Sequence, residues 1–446
     1  MENKKDVKTL GPLFKGVIRP IQQFFRLEAA SGILLMCCAV IALVWANSPA
    51  SGAYAAIFDA PLVLGVRGYE AHFTFRQLIN DGLMAIFFFV VGMEIKRELV
   101  VGELRSLAKA LLPLVAALGG MVVPAGIYLA INREGPGAVG WAIPMATDIA
   151  FCIGCLSLLK SRVPHALIVF ITALAIFDDM GGILVIALFY GSKLHVSWLI
   201  GALVLAGGLF LLNRLRVGNG LIYAAMGVAL WYALHHGGIH ATIAGVILGL
   251  MIPARASRSP HEVIADLHTH TARLVGRPPD EGLQNAEVLA IEERIEELEP
   301  PLNRFVHLLH PYVAFVIMPL FALANSGVSL AGVELADLAN RVPLGAAVGL
   351  FAGKQVGIFL FTLVAVRLGL APIPGGASLA KLYGVSVVAG IGFTVALFIA
   401  GLAFPDPALL DEAKIGILLG SLASGVVGFL VLRATTPQAT ADNASS

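Results

Sequence analysis

The sequence predicts an all-α polytopic membrane protein with twelve transmembrane helices, two of them broken. Three observations carry that prediction. Of the 446 residues, 58% are hydrophobic and only 13% are charged, about half the charged share of an ordinary soluble domain. Mean hydropathy is +0.86. The apolar residues gather in runs long enough to cross a bilayer, about 20 residues each. The same numbers exclude other classes. A net charge of +1 offers no basic field for nucleic acid, and four cysteines without a secreted framework exclude a disulfide scaffold.

Taken in order, residues 1–28 are long, polar and basic and read as a cytoplasmic tail. The run from Ala29 to Ala46 carries no charge and is a retained first span, not a cleaved signal. Pro61 to Phe75 reads as a β-hairpin on the outer side: Leu62-Val63-Leu64, a Gly-rich turn, then His72-Phe73-Thr74-Phe75. Apolar stretches follow at about Leu78–Met93, Ala110–Ile131, Trp141–Leu159, Pro164–Tyr190 and Leu194–Asn213. Val217 to Ala254 holds no Asp, Glu, Lys or Arg and is too long for one span. A turn at His235-His236-Gly237-Gly238 divides it, so residues 29–254 hold spans one to eight.

Residues 255–304 form a polar cytoplasmic linker. In it Val288, Ile291, Ile295 and Leu298 repeat at helical spacing within an acidic helix, ended by Pro300-Pro301. Residues 305–433 hold the last four spans, about Val306–Leu330, Val342–Val366, Leu382–Phe404 and Ile415–Leu432, and residues 434–446 a disordered cytoplasmic tail. An even count puts both termini on one side. Of the 30 Lys and Arg, 23 then fall on the side of the N-terminus, six on the other, and one, Lys354, within a span. The positive-inside rule makes the crowded side cytoplasmic.

Charges inside spans are the informative ones, because each costs about 2.5–3.5 kcal/mol to insert. Here they are Asp81, Asp148, Asp178, Asp179 and Lys354, together about 12–17 kcal/mol if left unpaired at the bilayer centre. A buried ion pair alone does not account for them, since one lysine cannot balance four carboxylates. Asp178 and Asp179 are neighbours near the middle of a span. Helical neighbours point about 100° apart, so one can face a water-filled cavity while the other meets a partner such as Lys354. Two close carboxylates in a low dielectric are costly to ionise together. Such a site can exchange H+ for a hard cation such as Na+, which prefers oxygen ligands; that competition is enough to build an exchanger, and it marks an ion or proton pathway without naming the ion.

Two spans are interrupted. Pro144-Met145-Ala146-Thr147-Asp148 breaks the fourth: proline removes a helix hydrogen bond, and Thr and Asp compete for backbone groups. The segment reads as a broken helix lining a cavity, with Asp148 neutralising positive half-helix ends and Thr147 offering an oxygen to an ion; the plainer alternative is a proline kink. Gly390-Ile391-Gly392-Phe393-Thr394 breaks the eleventh, although glycines there also serve packing. Each break lies in the middle of a three-span block, Ala110–Tyr190 and Val342–Leu432. Matching interruptions point to inverted-topology repeats with a transport site where the broken helices cross.

Further candidates weigh less. Glu94 and Glu98 share a helix face at i,i+4 and are either a solvated face or a cation-attracting entrance. His240 is a core histidine or a pH sensor. Cys152 and Cys155 read as small apolar filler, and His268 and His270 as surface residues.

The runs Ala146-Thr147-Asp148-Ile149-Ala150-Phe151 and Ala173-Leu174-Ala175-Ile176-Phe177-Asp178-Asp179 resemble the NhaA sodium–proton antiporters of bacterial inner membranes. So do Ile79-Asn80-Asp81, Val91-Gly92-Met93-Glu94-Ile95-Lys96-Arg97-Glu98-Leu99, His240-Ala241-Thr242, Gly353-Lys354 and Gly390-Ile391-Gly392-Phe393-Thr394. The resemblance covers about Glu28 to Arg433. The repeat rule applied above was itself drawn partly from this family, so the two readings are not independent.

The resemblance implies that spans three to five and ten to twelve form the inverted repeats, with spans four and eleven crossing as unwound helices. It implies paired ion- and proton-binding aspartates at Asp178 and Asp179, with Thr147 as a neighbouring Na+ ligand. Asp148 and Lys354 would compensate half-helix dipoles, Lys354 also pairing with Asp178. Asp81 would lie on the outer pathway and Glu94 at the inner entrance. It further implies electrogenic exchange of two protons for each Na+ or Li+, no cofactor, and a homodimer through the Pro61–Phe75 hairpin. One departure stands out. The mouth of span nine, which can carry Lys-Arg-x-Glu in the family, reads Asn303-Arg304-Phe305-Val306 here. The acidic pH-sensing position is therefore Val306, and His307, His310 or the linker helix is expected to shift the pH response.

Two rivals fit less well. Intramembrane aspartyl hydrolases place their carboxylates on different helices, unlike Asp178-Asp179, so an enzyme is not expected. In a passive cation channel, Lys354 beside the site would repel the cargo. Gly349 to Lys354 is not a phosphate-binding loop, because the spacing is short and Gln355 follows the lysine.

Overall fold

The computed structural model describes residues 29–66, 69–159, 163–191, 193–256, 259–275, 287, 290–291, 294–295, 298–330, 334 and 336–435. In chain order these hold α1 (Ala29–Ala46), α2 (Ser51–Phe58), β1 (Pro61–Val66), β2 (Tyr69–Thr74), α3 (Phe75–Val100) and α4 (Leu107–Ile131). Then come α5 (Ile149–Leu158), α6 (His165–Phe189), α7 (Val196–Arg214), α8 (Gly220–Gly237), α9 (Ile243–Met251) and α10 (Pro260–Val275). The last are α11 (Pro301–Asn325), α12 (Arg341–Arg367), α13 (Leu379–Val388), α14 (Phe393–Ala403) and α15 (Pro407–Thr435). Among the described residues seven helices are long and apolar enough to cross a membrane, or ten if three bent pairs each count as one span. The protein is a multi-pass, all-α membrane protein.

The chain divides into two compact units. The described part of the first lies within residues 29–76, 107–182 and 318–435. Its centre is the crossing of α4 and α12, where a Cβ on Gly119 would lie 2.3 Å from Gly357 O and one on Gly357 2.1 Å from Gly119 O. Small residues allow this approach, and in lipid close packing is a main force between helices. α1 meets α5 in the same way, with Gly32 against Gly154. The hairpin pairs β1 with β2 antiparallel, Pro61 opposite Thr74. At its base Tyr54 donates to Leu323 O (2.8 Å) and Ala324 O (3.0 Å). Arg76 donates to Ala324 O and pairs with Asp59 at 3.0 Å. These groups satisfy carbonyls that the end of α11 leaves without a helical partner.

The second unit holds residues 77–106 and 183–317. α3 and α9 pack on glycines: a Cβ on Gly245 would fall 2.1 Å from Ala85 O and one on Gly249 2.5 Å from Phe89 O. The expected turn after His235 is present. α8 stops at Gly238, whose φ of 85° is the left-handed cap that glycine adopts without strain.

Some boundaries differ from the sequence reading. α11 starts at Pro301, five residues before the expected Val306, because proline is pre-organised for the first helical turn. α15 starts at Pro407, not Ile415, which places Lys414 inside a helix instead of in an outer loop. It also extends to Thr435, and the rest of the expected tail, residues 436–446, lies outside the described residues. The linker contains α10, an amphipathic helix not foreseen, with Val263 fully buried. Of the expected acidic helix only part is described, helical at 287, 290–291, 294–295 and 298; the 1–28 tail lies outside the described residues.

Gly357→Leu should lower stability by about 1–3 kcal/mol through overpacking at the α4–α12 crossing. Gly126→Ala, on the same α4 but with open space around its Cβ, should stay within about 0.5 kcal/mol. Thermal unfolding of the detergent-purified protein measures both.

Candidate functional site

The site in the first unit is built from two broken spans. Pro144 cannot donate a backbone hydrogen bond, and residues Pro136–Met145 wind as a narrow 3-10 helix. Ala146 (ψ 146°) and Asp148 (ψ 103°) are extended before α5 resumes, a bend of 46°. The second break, residues 389–392, separates α13 from α14 with a bend of 44°. The breaks meet: Asp148 N donates to Ile391 O at 2.7 Å.

Each half-helix exposes backbone N–H groups at its start, and the aligned dipoles place partial positive charge there. Asp148 satisfies both. Its Oδ1 accepts from Phe151 N (3.0 Å) at the start of α5, and its Oδ2 from Thr394 N (3.1 Å) at the start of α14. The Thr394 hydroxyl donates to the same Oδ2. Ser421 of α15 accepts from Phe393 N at 3.2 Å. Gly392 has no room for a side chain: a Cβ would stand 2.6 Å from Leu350 Cδ2 and 2.8 Å from Ala146 O. Gly390 is confined in the same way by Leu350 O and the Ser424 hydroxyl, each 2.5 Å from a Cβ.

Beside the crossing, Lys354 of α12 pairs with Asp178 Oδ2 of α6 and donates to Thr147 Oγ1 at 2.8 Å. Thr147 Oγ1 lies 2.6 Å from Asp178 Oδ2 and 2.9 Å from Ala389 O. It has one proton for these two acceptors. Lys354 is 0% exposed, Asp148 1%, Asp178 2% and Asp179 7%. Asp178 Oδ1 is buried and has no hydrogen-bond partner among the described residues. Thus three buried carboxylates stand with one ammonium, and one carboxylate oxygen is left open. Burying such a charge is tolerable only when it is paired or neutralised. The arrangement can take up a proton, or a hard cation bound by oxygen atoms.

The other expected residues lie in the second unit. Asp81 sits in a wide, π-helical turn of α3 (Leu78–Leu83), its side chain 40% exposed and 3.8 Å from His240 Nε2. His240 Nδ1 contacts Thr242 Oγ1 at 2.7 Å. Glu94 lies 4.0 Å from His310, and His307 lies 3.7 Å from Glu299. Glu98 folds back over Gly102. Val306 is buried. In the first unit, Cys152 Sγ and Cys155 Sγ contact the carbonyls of Val388 and Gly425, on different segments, and both thiols are free.

Against known proteins, a model of the Na+/H+ antiporter 1 family matches residues 22–432. The chain belongs to this family. It is 63% identical over 422 residues to the Na(+)/H(+) antiporter NhaA 1 of Myxococcus xanthus, covering 94% of each chain. It is 65% identical over 425 residues to the Na(+)/H(+) antiporter NhaA of Anaeromyxobacter sp., covering 95% of this chain and 93% of that one. Identity is 45% over 428 residues to the Na(+)/H(+) antiporter NhaA of Oleidesulfovibrio alaskensis, with 94% of each covered. Membership in an antiporter family points to a transporter and not to an enzyme.

Within this antiporter-family chain the sequence reading passed over two groups. Ser421 caps α14, and Lys414 is buried with its amine 3.2 Å from Asp411. Polar residues in an apolar helix were the available signal for Ser421; Lys414 was read as a loop residue because α15 was started too late.

Asp148→Ala should remove two helix caps, each worth about 0.5–2 kcal/mol. Asp148→Asn should cost about half as much, since its side chain has one acceptor oxygen where capping both helices needs two. Unfolding midpoints of the two purified variants decide this.

Proposed function

We propose that the chain is an electrogenic secondary antiporter that exports Na+ or Li+ in exchange for H+, two protons per cation, under pH control. Its place is the bacterial inner membrane, with both termini cytoplasmic. The observation that carries this reading is the Asp178 carboxylate. One oxygen is held by Lys354 and Thr147, and the other is buried and open, next to a second buried carboxylate at Asp179. Facing the outside, Asp178 and Asp179 take up protons. Facing the cytoplasm they release them and bind Na+, with Thr147 Oγ1 as a further oxygen ligand and the Lys354 ammonium displaced from Asp178. One site cannot hold both cargoes, so alternating exposure couples their flows. Each net positive charge carried inward gains about 2.3 kcal/mol per 100 mV of membrane potential, which helps expel sodium.

The proposal includes the family architecture. Two further apolar helices, α8 and α9, added to the ten candidate spans, support a total of twelve. The two bent pairs in α4–α6 and α12–α15 support the inverted repeats, with crossing at Asp148 and Ile391. Asp81 serves the outer pathway and Glu94 and Glu98 the inner entrance. The His240–Asp81 and His310–Glu94 pairs, with His307, shape the pH response in place of an acidic group at Val306. The Pro61–Phe75 hairpin forms the homodimer contact.

In everted membrane vesicles acidified by respiration, Na+ or Li+, but not K+, should collapse the pH gradient between pH 6 and 9. Asp178→Asn and Asp179→Asn should each abolish the response. A gradient that persists at every pH, together with no isotopic Na+ exchange by protein shown to be in the membrane, would remove the antiporter assignment.

A further inference from the structure

Lys354 follows directly on a wide, π-helical turn, Gly349–Gly353, in which Lys354 N bonds back to Gly349 O. An extra residue in a turn rotates everything after it by about 100° relative to a regular helix. The direction in which Lys354 leaves α12 therefore depends on this turn keeping its width. The turn is packed tightly on both sides. A Cβ on Gly353 would lie 2.7 Å from Pro124 Cα, and one on Gly349 2.6 Å from Pro144 Cβ.

The next residue holds the turn from a third side. The Gln355 side-chain amide, 7% exposed, donates from Nε2 to Phe351 O at 2.7 Å, inside the wide turn. Its Oε1 accepts from the Tyr383 hydroxyl of α13 at 2.5 Å. The Tyr383 ring stands edge-on to Phe359, with centroids 5.4 Å apart at 84°, so its hydroxyl is aimed by packing and not by the hydrogen bond alone. Both polar ends of the amide are used. α13 ends at Val388, and the following carbonyl, Ala389 O, is the one within reach of the Thr147 hydroxyl. Tyr383 of α13 thus holds Gln355, which bonds into the turn that aims Lys354, and the residue that follows α13 holds the threonine that Lys354 donates to.

We propose that Gln355 and Tyr383 form a clasp that positions Lys354 and thereby sets how strongly its ammonium competes with the transported cation for Asp178. The two are positioning residues: neither touches the cation, and each acts through the wide turn. The inference rests on the reading of Asp178 as a cation ligand. When the clasp is released, the turn relaxes toward a regular helix, the ammonium spends less time on Asp178 Oδ2, and the cation meets a weaker competitor.

The test uses the full-length protein in proteoliposomes at one fixed pH, with initial rates measured against Na+ concentration. Tyr383→Phe removes only the hydroxyl and keeps the ring on Phe359; Gln355→Met keeps the length and volume. Each should lower the apparent KM for Na+ about fivefold, the factor expected from one net hydrogen bond, out of proportion to any change in maximal rate. The double variant should match the singles, because both remove the same clasp. An unchanged KM with a lowered melting temperature would overturn the proposal and leave the pair as a satisfied polar contact. Additive KM changes would overturn the clasp as one unit. Asp178→Asn in the same assay separates the two readings. If Na+ still drives saturable exchange in that variant, the site assignment itself fails; if exchange is lost while the clasp variants keep the wild-type KM, only the clasp fails.

Discussion

Charge in a medium that cannot solvate it governs the first unit. An isolated ionised carboxylate or ammonium in a low dielectric costs far more than a folded protein can spare. Asp148, Asp178, Asp179 and Lys354 are nonetheless all buried. Each of the pairings follows from that cost. Asp148 spends both oxygens on helix starts. Lys354 places its ammonium on Asp178 and Thr147. The carboxylate capacity left over can take a proton or an oxygen-seeking cation, and on the proposed reading the two compete there as cargoes that exclude one another.

Broken helices follow from the same constraint. A continuous span satisfies its own backbone and offers nothing to an ion. Breaking two spans at one level frees N–H and C=O groups, which the chain then has to satisfy without water. It does so across the breaks, from Asp148 N to Ile391 O, from Phe393 N to Ser421, and from Thr147 to Ala389 O. Glycine makes the crossing feasible, since at Gly390 and Gly392 any Cβ would meet backbone or hydroxyl atoms at 2.5–2.8 Å. The crossing is thus held by polar groups, while the reciprocal glycine contact of α4 and α12 supplies dense apolar packing behind Lys354.

The second unit uses its polar residues differently. Asp81, His240, Glu94 and His310 are partly exposed and paired at 3.8–4.0 Å, a loose geometry compared with the contacts around Thr147. Groups that keep access to water can change charge without unfolding their surroundings. On the proposed reading they serve an entrance and a regulatory contact.

Much of this was legible in the residue order. Apolar runs of bilayer length dictate helices, because lipid leaves the backbone no other partner. Charges inside those runs stand out because they are expensive; Asp148, Asp178, Asp179 and Lys354 were singled out that way and are buried, and both breaks were legible through Pro144 and Gly390-Ile391-Gly392. The family was legible too, from short motifs around the same residues. Helix starts at Pro301 and Pro407 were not, since proline both ends one element and opens the next. Tertiary structure alone decided which oxygen of Asp178 meets Lys354, that one carboxylate caps two helices, that Ser421 accepts from the start of α14, and that Tyr383 bonds to Gln355 beside the turn before Lys354. Those contacts join segments far apart in the chain. They depend on side-chain directions that a one-dimensional pattern does not encode, because the phase of each helix is set by the turns and glycine contacts that pack it against its neighbours.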